Sequence, residues 1–353
     1  MDELLRELRA GVTQAHRSRT PVRLRGSGTK DFYGESCEGA LLDVSGLRGV
    51  LDYEPSELVI TARCGTRLSE IEALLAAHRQ FLAFEPPGLG GDPTIGGVVA
   101  AGLSGPRRSQ AGAARDFVLG AVLLGVEGEL LHFGGKVMKN VAGFDVARLL
   151  CGSLGILGPI TEVSLKVLPL PRAEQTLRFE LSEAAALAAF NRWAGQPLPI
   201  SATAWWNGEA WVRLSGAPAA LRAGRARLGG EALPAERAER WWRDLRSQQH
   251  PQFGDARSVW RLSLPSTAPP LAIAAAQLIE WGGALRWFAS ALPAAQVRAL
   301  ASAAGGTALH WRGGAAGERF HPLSPAALEI HRRLKARFDP HGIFNHNRLT
   351  AGL

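Results

Sequence analysis

The stretch from Pro86 to Arg108, PPGLGGDPTIGGVVAAGLSGPRR, sets the tightest limit on what this chain can fold into. Glycine, alanine and serine crowd it, and after FVLGAVLL the same density returns in GGKVMKNVAGFDVARLLCGSLGILGPITEVSLKVLP. Backbone free of branched side chains can press against a flat or phosphorylated ligand, because its N–H groups reach an anion only where no Cβ intervenes. The pattern therefore predicts a dinucleotide-binding lobe. Two common nucleotide loops are excluded. A phosphate loop G-x-x-x-x-G-K-[ST] ending on Gly135-Lys136 has Leu130 in place of its first glycine and Val137 at its end. A Rossmann G-x-G-x-x-G fails because Gly88-Leu89-Gly90-Gly91-Asp92 runs into Pro93.

The rest of the chain divides around this segment. Leu4, Leu5, Leu8 and Val12 recur at helical spacing and predict an amphipathic helix over 2–17. Strands over 21–25 and 40–44, a strand pair 50–53 with 58–62 and a helix over 66–78 make a small α/β lobe. Beyond it come a helix or turn over 94–101, a hairpin of 117–126 with 130–133, a short helix from Val146 to Leu150 and a strand over 161–168. Pro169-Leu170-Pro171 then sets a boundary, giving a first domain over 1–171, a second over 172–325 and a returning C-terminal segment over 326–353. At 353 residues two domains are expected. The second has alanine-rich helical stretches such as 183–193 between strands such as 211–214 and 260–264, and it holds the tryptophans. These read either as an aromatic cap or docking face, or as ordinary packing.

Charge and cysteine use narrow the function. The net charge is +8, but the only lysines are Lys30, Lys136, Lys139, Lys166 and Lys335, and the arginines are scattered rather than gathered into a stripe, so no nucleic-acid partner is expected. Cys37, Cys64 and Cys151 form no C-x-x-C, which points to a reducing compartment, and three thiolates cannot hold a four-cysteine iron–sulfur cluster. The first residues, MDELLRELRAGV, are acidic and amphipathic rather than signal-like, and the apolar run 271–285 is too short for a span. A cytoplasmic protein is expected, with any contact to the inner membrane made through partners.

Thr94-Ile95-Gly96-Gly97, Lys139-Asn140-Val141-Ala142-Gly143-Phe144-Asp145 and Gly152-Ser153-Leu154-Gly155 leading to Ile160-Thr161-Glu162 together resemble the FAD-binding domain of the vanillyl-alcohol oxidase and p-cresol methylhydroxylase (PCMH-type) flavoproteins. Within that superfamily the chain is most similar to the FAD-binding subunits of bacterial glycolate oxidases. Arg25-Gly26-Ser27-Gly28-Thr29-Lys30 and Phe338 to Asn345 agree with it. The resemblance implies an α+β fold: a two-lobed PCMH-type FAD-binding domain, an α/β cap and a C-terminal tail returning to the flavin. It implies that Arg25, Gly26, Ser27, Gly28 and Thr29 receive the diphosphate. By the same likeness Pro86, Pro87, Gly88, Thr94, Ile95, Gly96 and Gly97 approach the isoalloxazine and diphosphate, over a surface kept low by Ala100 and Ala101. Gly152, Ser153, Gly155, Gly158, Ile160 and Thr161 are implied on the adenine side, Arg115-Asp116 as a loop-orienting ion pair, and Asn345 near the flavin. Thr29 and Lys30 stand where covalently flavinylated relatives carry a histidine, so the FAD is expected to be non-covalent. Many relatives read N-P-G at the tail, where this chain reads Asn345-His346-Asn347-Arg348.

No catalytic residue is legible. Catalytic relatives carry a histidine-rich, metal-binding cap with a G-D-G-N-x-H phrase, where this chain has Ala308-Leu309-His310-Trp311-Arg312-Gly313-Gly314, and His321 lies too far along to complete a metal site. The resemblance implies an FAD-binding oxidoreductase subunit of a complex that oxidises glycolate to glyoxylate, in an electron-transfer or accessory role. Its partners would be a larger FAD-containing subunit and an iron–sulfur subunit. Two other readings stay open: a free-standing 2-hydroxy-acid oxidoreductase with His310 as base and Arg312 as carboxylate clamp, and a flavin-free scaffold.

Overall fold

The computed structural model describes residues 3–135, 145–254, 258–313 and 319–353. Helix Glu3–Ser18 turns Leu8, Val12 and Ala15 inward at the predicted spacing, onto a small core with Leu47, Ile343 and Phe344. Beside it Val22–Arg25 and Ala40–Asp43 pair in parallel. The C-terminal tail adds to this pair: Val22 N–H donates to the Ile343 carbonyl (2.8 Å) and Asn345 N–H to the Val22 carbonyl (3.0 Å). Residues more than 300 positions apart thereby share one edge.

The second lobe is a five-stranded antiparallel sheet in the order Val50–Glu54, Val59–Arg63, Ile160–Lys166, Val118–Leu124, Leu130–Gly134. Val118–Leu124 is a near-continuous apolar run because it is buried on both faces. Helices Leu68–Ala77, Ile95–Ala101 and Val146–Leu150 supply Ile71, Leu75, Val98, Val99 and Leu150 to its core, and Leu328, Leu334 and Phe338 of the C-terminal helix Pro325–Phe338 pack against the same core.

The remaining large sheet is eight-stranded and antiparallel, ordered Glu231–Ala232, Ala173–Glu180, Glu209–Gly216, Ile200–Trp206, Gln277–Glu280, Leu285–Ala289, Val259–Ser263, Thr307–Arg312. The tryptophans mostly pack this unit: Trp193, Trp211, Trp242, Trp260, Trp287 and Trp311 are buried. The apolar run 271–285 resolves into the buried strand Gln277–Glu280 and a short 3-10 turn, and among the described residues no helix is long and apolar enough to cross a membrane.

A partly buried ion network joins the cap to the loops and the helix Leu68–Ala77 of the first domain. The Glu85 carboxylate accepts from Arg107 N–H (2.7 Å) and Arg213 Nη2 (2.8 Å), and Arg107 also pairs with Glu174. Arg246 donates to the Pro86 carbonyl and pairs with Glu72, and Trp281 Nε1 donates to the Gly105 carbonyl (3.0 Å). Charges buried in this way hold register, since removing one partner strands the other.

Glu280, 4% exposed, accepts one bond from Trp287 Nε1 (2.9 Å). Burial pushes its carboxyl up to about 7. In the unfolded chain it ionises near its ordinary value, so between these two values the folded state holds the extra proton and stability falls as pH rises. Glu280→Gln is expected to flatten that fall by on the order of 3 kcal/mol at pH 8. Denaturation midpoints at pH 5 and pH 8 check it; an unchanged pH slope in the variant would refute it.

Candidate functional site

A cavity of about 310 Å³ opens between the parallel strand pair, the helix Ile95–Ala101 and the loop that follows Val146–Leu150. Arg25, Gly26, Ser27, Gly28, Thr29, Thr94, Gly96, Gly97, Ala100, Ala101, Gly155, Gly158, Ile160 and Asn345 line it, as the sequence leads one to expect. Arg23, Lys30, Tyr33, Cys37, Cys64, Leu154 and Arg348 join them.

The loop after Val22–Arg25 has the character of an anion cradle. Gly28 sits at φ +77°, a left-handed turn that glycine adopts without strain. Among the described residues no acceptor takes the N–H groups of Ser27, Gly28 or Thr29. Arg25 Nε holds Asp31 at 3.0 Å beneath the loop. Among the described residues the Lys30 ammonium has only the Thr29 hydroxyl, at 3.5 Å, and burial pushes it down to about 8. A half-buried cation and open backbone donors facing one cavity fit a diphosphate, which would satisfy both.

The C-terminal tail fixes the opposite wall. Asn345 Oδ1 accepts from Leu24 N–H (2.7 Å) and its Nδ2 donates to the Leu154 carbonyl (2.7 Å). Both ends of the amide are thus engaged by backbone, and Asn345 shapes the wall. Lys335, 5% exposed, donates to the Ile156 and Phe344 carbonyls and to Asp339, whose carboxylate also accepts from the N–H groups of Ile343 and Phe344. Arg348 donates to the carbonyls of Lys30, Asp31 and Glu35 and so anchors the chain beyond the cradle.

The other expected residues stand elsewhere. Ile95 is in the core, and its N–H donates to the Thr66 carbonyl. Pro86, Pro87 and Gly88 lie at the cap junction: the Pro86 carbonyl is held by Arg246, Pro87 borders a small pocket with Glu280, and the Gly88 carbonyl closes a turn to Gly91. Asp116 accepts from Ala113 N–H (2.8 Å) as a helix cap, instead of pairing with Arg115. Ser153 Oγ turns back to Gly155 N–H, and Thr161 Oγ1 donates to the Val122 carbonyl inside the sheet. Lys139 to Phe144 lie outside the described residues.

A second cavity, of about 480 Å³, continues from the first between lobe and cap. Tyr33 lines both, and Ala101 of the first is followed directly by Gly102 of the second. Arg115 and Gly152 are found here, with Arg108, Cys151, Arg261 and Trp281. His310 and Arg312 are not. Strand Thr307–Arg312 alternates faces, and Trp311 packs on Phe32 and Tyr33 of the lobe, so its neighbours face away. His310 stacks on Trp260 with Nε2 2.9 Å from the Ser258 hydroxyl, and Arg312 donates to the Phe253 and Gly254 carbonyls. His321 Nδ1 accepts from Ala308 N–H (3.3 Å). Among the described residues no group of three or more His, Cys, Asp or Glu could hold a metal.

Fold and cradle together define an FAD-binding flavoprotein of the PCMH type. Residues 5–134 match the family model described as FAD binding domain. The chain is 46% identical to the glycolate oxidase subunit GlcE of Escherichia coli K12, over 97% of this chain and 96% of that protein. It is 31% identical to the glycolate oxidase subunit GlcD of Bacillus subtilis 168 over 54% of this chain, spanning 41% of that relative's length. In overall shape it is similar to alkyldihydroxyacetonephosphate synthase, with a TM-score of 0.67 at 17% identity, covering 96% of this chain and 74% of the other. The chain belongs to the family of the glycolate oxidase subunit GlcE. Its cofactor is FAD.

The wall chemistry bears on how that FAD is held. Thr29 and Lys30 offer no flavin-linking imidazole, and burial pushes the Cys64 thiol up to about 12, which keeps it protonated. Acid precipitation of the purified protein is expected to leave yellow flavin in the supernatant. Colour retained in the pellet would show a covalent link.

Proposed function

We propose that this chain is the FAD-binding subunit of a complex that oxidises glycolate to glyoxylate, working beside a larger GlcD-like flavin subunit and an iron–sulfur subunit. The 46% identity to GlcE along nearly the whole chain carries this reading. The division at residue 171 and the return at 326 belong to it: an FAD domain, a cap and a tail that closes the FAD cavity.

FAD, when bound, supplies a two-electron acceptor for hydride removed from the substrate carbon. The residues of this chain hold and orient. Loop 25–29 and Lys30 would take the diphosphate, Gly97 and Ala100 keep the cavity floor low, and Asn345 keeps Leu24 and Leu154 at their separation across it. The role expected of the chain is electron transfer or support, because removal of the hydroxyl proton needs a base. Neither His310 nor His321 reaches the cavities, and Glu280 is engaged by Trp287 and kept neutral up to about pH 7.

Reconstitution tests the reading. Glycolate-dependent dye reduction is expected to be weak for the chain alone and to rise when the two partners are added. If its basic surface steers docking, association weakens at high salt. Full turnover by the chain alone would promote the free-standing oxidase, and no gain on adding partners would remove the complex.

A further inference from the structure

The cavity between lobe and cap has a feature that holding FAD does not by itself explain. Arg108 and Arg115 come from the lobe and Arg261 from the cap, and all three line it. Two are held by aromatic stacking: the guanidinium of Arg108 lies 4.5 Å, and that of Arg261 5.2 Å, from the Trp281 ring centroid. Such stacking fixes a guanidinium plane without satisfying its N–H donors. Arg261 Nη1 reaches, among the described residues, only the Ser263 hydroxyl, at 3.4 Å. Among the described residues none of the three has a carboxylate within 4.0 Å, and Asp116 is occupied by Ala113 N–H.

The three charges also act on one another. Burial and then the charge of neighbouring Arg115 hold Arg108 below the ordinary arginine range, and burial together with Arg108 does the same for Arg261. Arg108 and Arg261 are partly buried and Arg115 stands exposed beside them, with Asp116 and Glu280 acting only from beyond ion-pair distance, so an arriving anion would offset the burial of the first two. Elsewhere at this seam the chain does provide one: Arg107 and Arg213 share Glu85, and Arg107 also pairs with Glu174. The contrast separates a structural arginine pair from a receptive set. A cavity of about 480 Å³ walled by Tyr33, Leu103 and Trp281 admits a small molecule.

We propose that Arg108, Arg115 and Arg261 form a binding site for a small carboxylate on this chain, placed against the FAD cavity at Tyr33. Two planar guanidinium forks match a carboxylate in bidentate fashion. The choice of carboxylate over other small anions rests on the proposed function, whose substrate and product are both two-carbon carboxylates. The site gives the chain a place to hold such a molecule, and among the described residues that line it there is no histidine or carboxylate to take the hydroxyl proton. Binding and turnover therefore separate.

Oxalate is the probe, since it is a two-carbon carboxylate with no hydride to lose. Flavin content of the purified chain is measured first, and oxalate is then titrated by calorimetry, whose heat does not depend on the flavin. Saturable binding is expected, at least about tenfold weaker in Arg108→Gln and in Arg261→Gln, with flavin content kept. The second variant guards against a packing defect in the first. A chain that holds FAD yet binds no oxalate overturns the carboxylate site and leaves the proposed function standing, whereas a chain without FAD counts against that function while the titration still reads the site. Unchanged oxalate affinity in both variants overturns the assignment, as does loss of flavin in place of oxalate, which would give the arginines to the cofactor. Inorganic phosphate bound as tightly as oxalate overturns the carboxylate class.

Discussion

Leucine in place of Gly97 is expected to give a folded, colourless protein. Gly97 lines the FAD cavity, and a Cβ built there meets only the Thr94 hydroxyl, at 3.2 Å. The Thr94 hydroxyl must give by a few tenths of an ångström, and the side chain beyond Cβ is expected to take up cavity volume that the cofactor needs. Because leucine is the better helix former by up to about 1 kcal/mol, the apo protein is expected to be as stable as before or slightly more so. Its neighbours cannot make this separation. A Cβ at Gly96 falls 2.6 Å from Cys64 Cβ, and Gly155 combines φ +74° with a contact of 2.8 Å to Asn345 Nδ2, so substitution at either damages the fold directly. Flavin-to-protein absorbance and thermal melting of the apo form are the measurements, and wild-type flavin content in Gly97→Leu would move the cofactor out of this cavity.

Asp339→Ala is expected to lower stability by about 3–5 kcal/mol, the usual cost of leaving one half of a buried ion pair. Asp339 is 1% exposed, and its loss leaves the Lys335 ammonium charged beside two carbonyls and the N–H groups of Ile343 and Phe344 without their acceptor. Since the tail reaches the cavity through Asn345, flavin affinity is expected to fall as well. Adding Lys335→Met to this variant is expected to recover part of the loss by removing the stranded charge. Urea midpoints of the apo proteins compare them. A double variant no better than Asp339→Ala would mean that the stranded N–H groups of Ile343 and Phe344, not the ion pair, carry the effect.

Much of the architecture was readable because it is written locally. The helix over 2–17 follows from Leu8 and Val12, and the hairpin at Gly125–Glu129 from its turn. The small-residue floor at Gly96, Gly97, Ala100 and Ala101 follows from the density of glycine and alanine. Asn345 was legible as a residue near the cavity but not as a clamp, since its partners lie at Leu24 and Leu154. The tail departs from the usual N-P-G at His346 and Asn347, and that departure told nothing of Arg348 just beyond, which anchors Lys30, Asp31 and Glu35. The arginine set was beyond reach: Arg108 and Arg261 are brought together only when cap and lobe close on Trp281. His310 and Arg312 misled for the converse reason, because strand alternation turns them away from the lobe that Trp311 meets.

Central to the proposed function is a flavin that this chain holds and that partners put to use. The direct measurement is the absorption spectrum of the purified chain, before glycolate, after glycolate, and after glycolate with the two partners present. Predicted are oxidised-flavin bands at about one FAD per chain, little bleaching by glycolate alone, and bleaching once the partners are added. A colourless chain, or bands bleached fully by glycolate with no partner present, would contradict it.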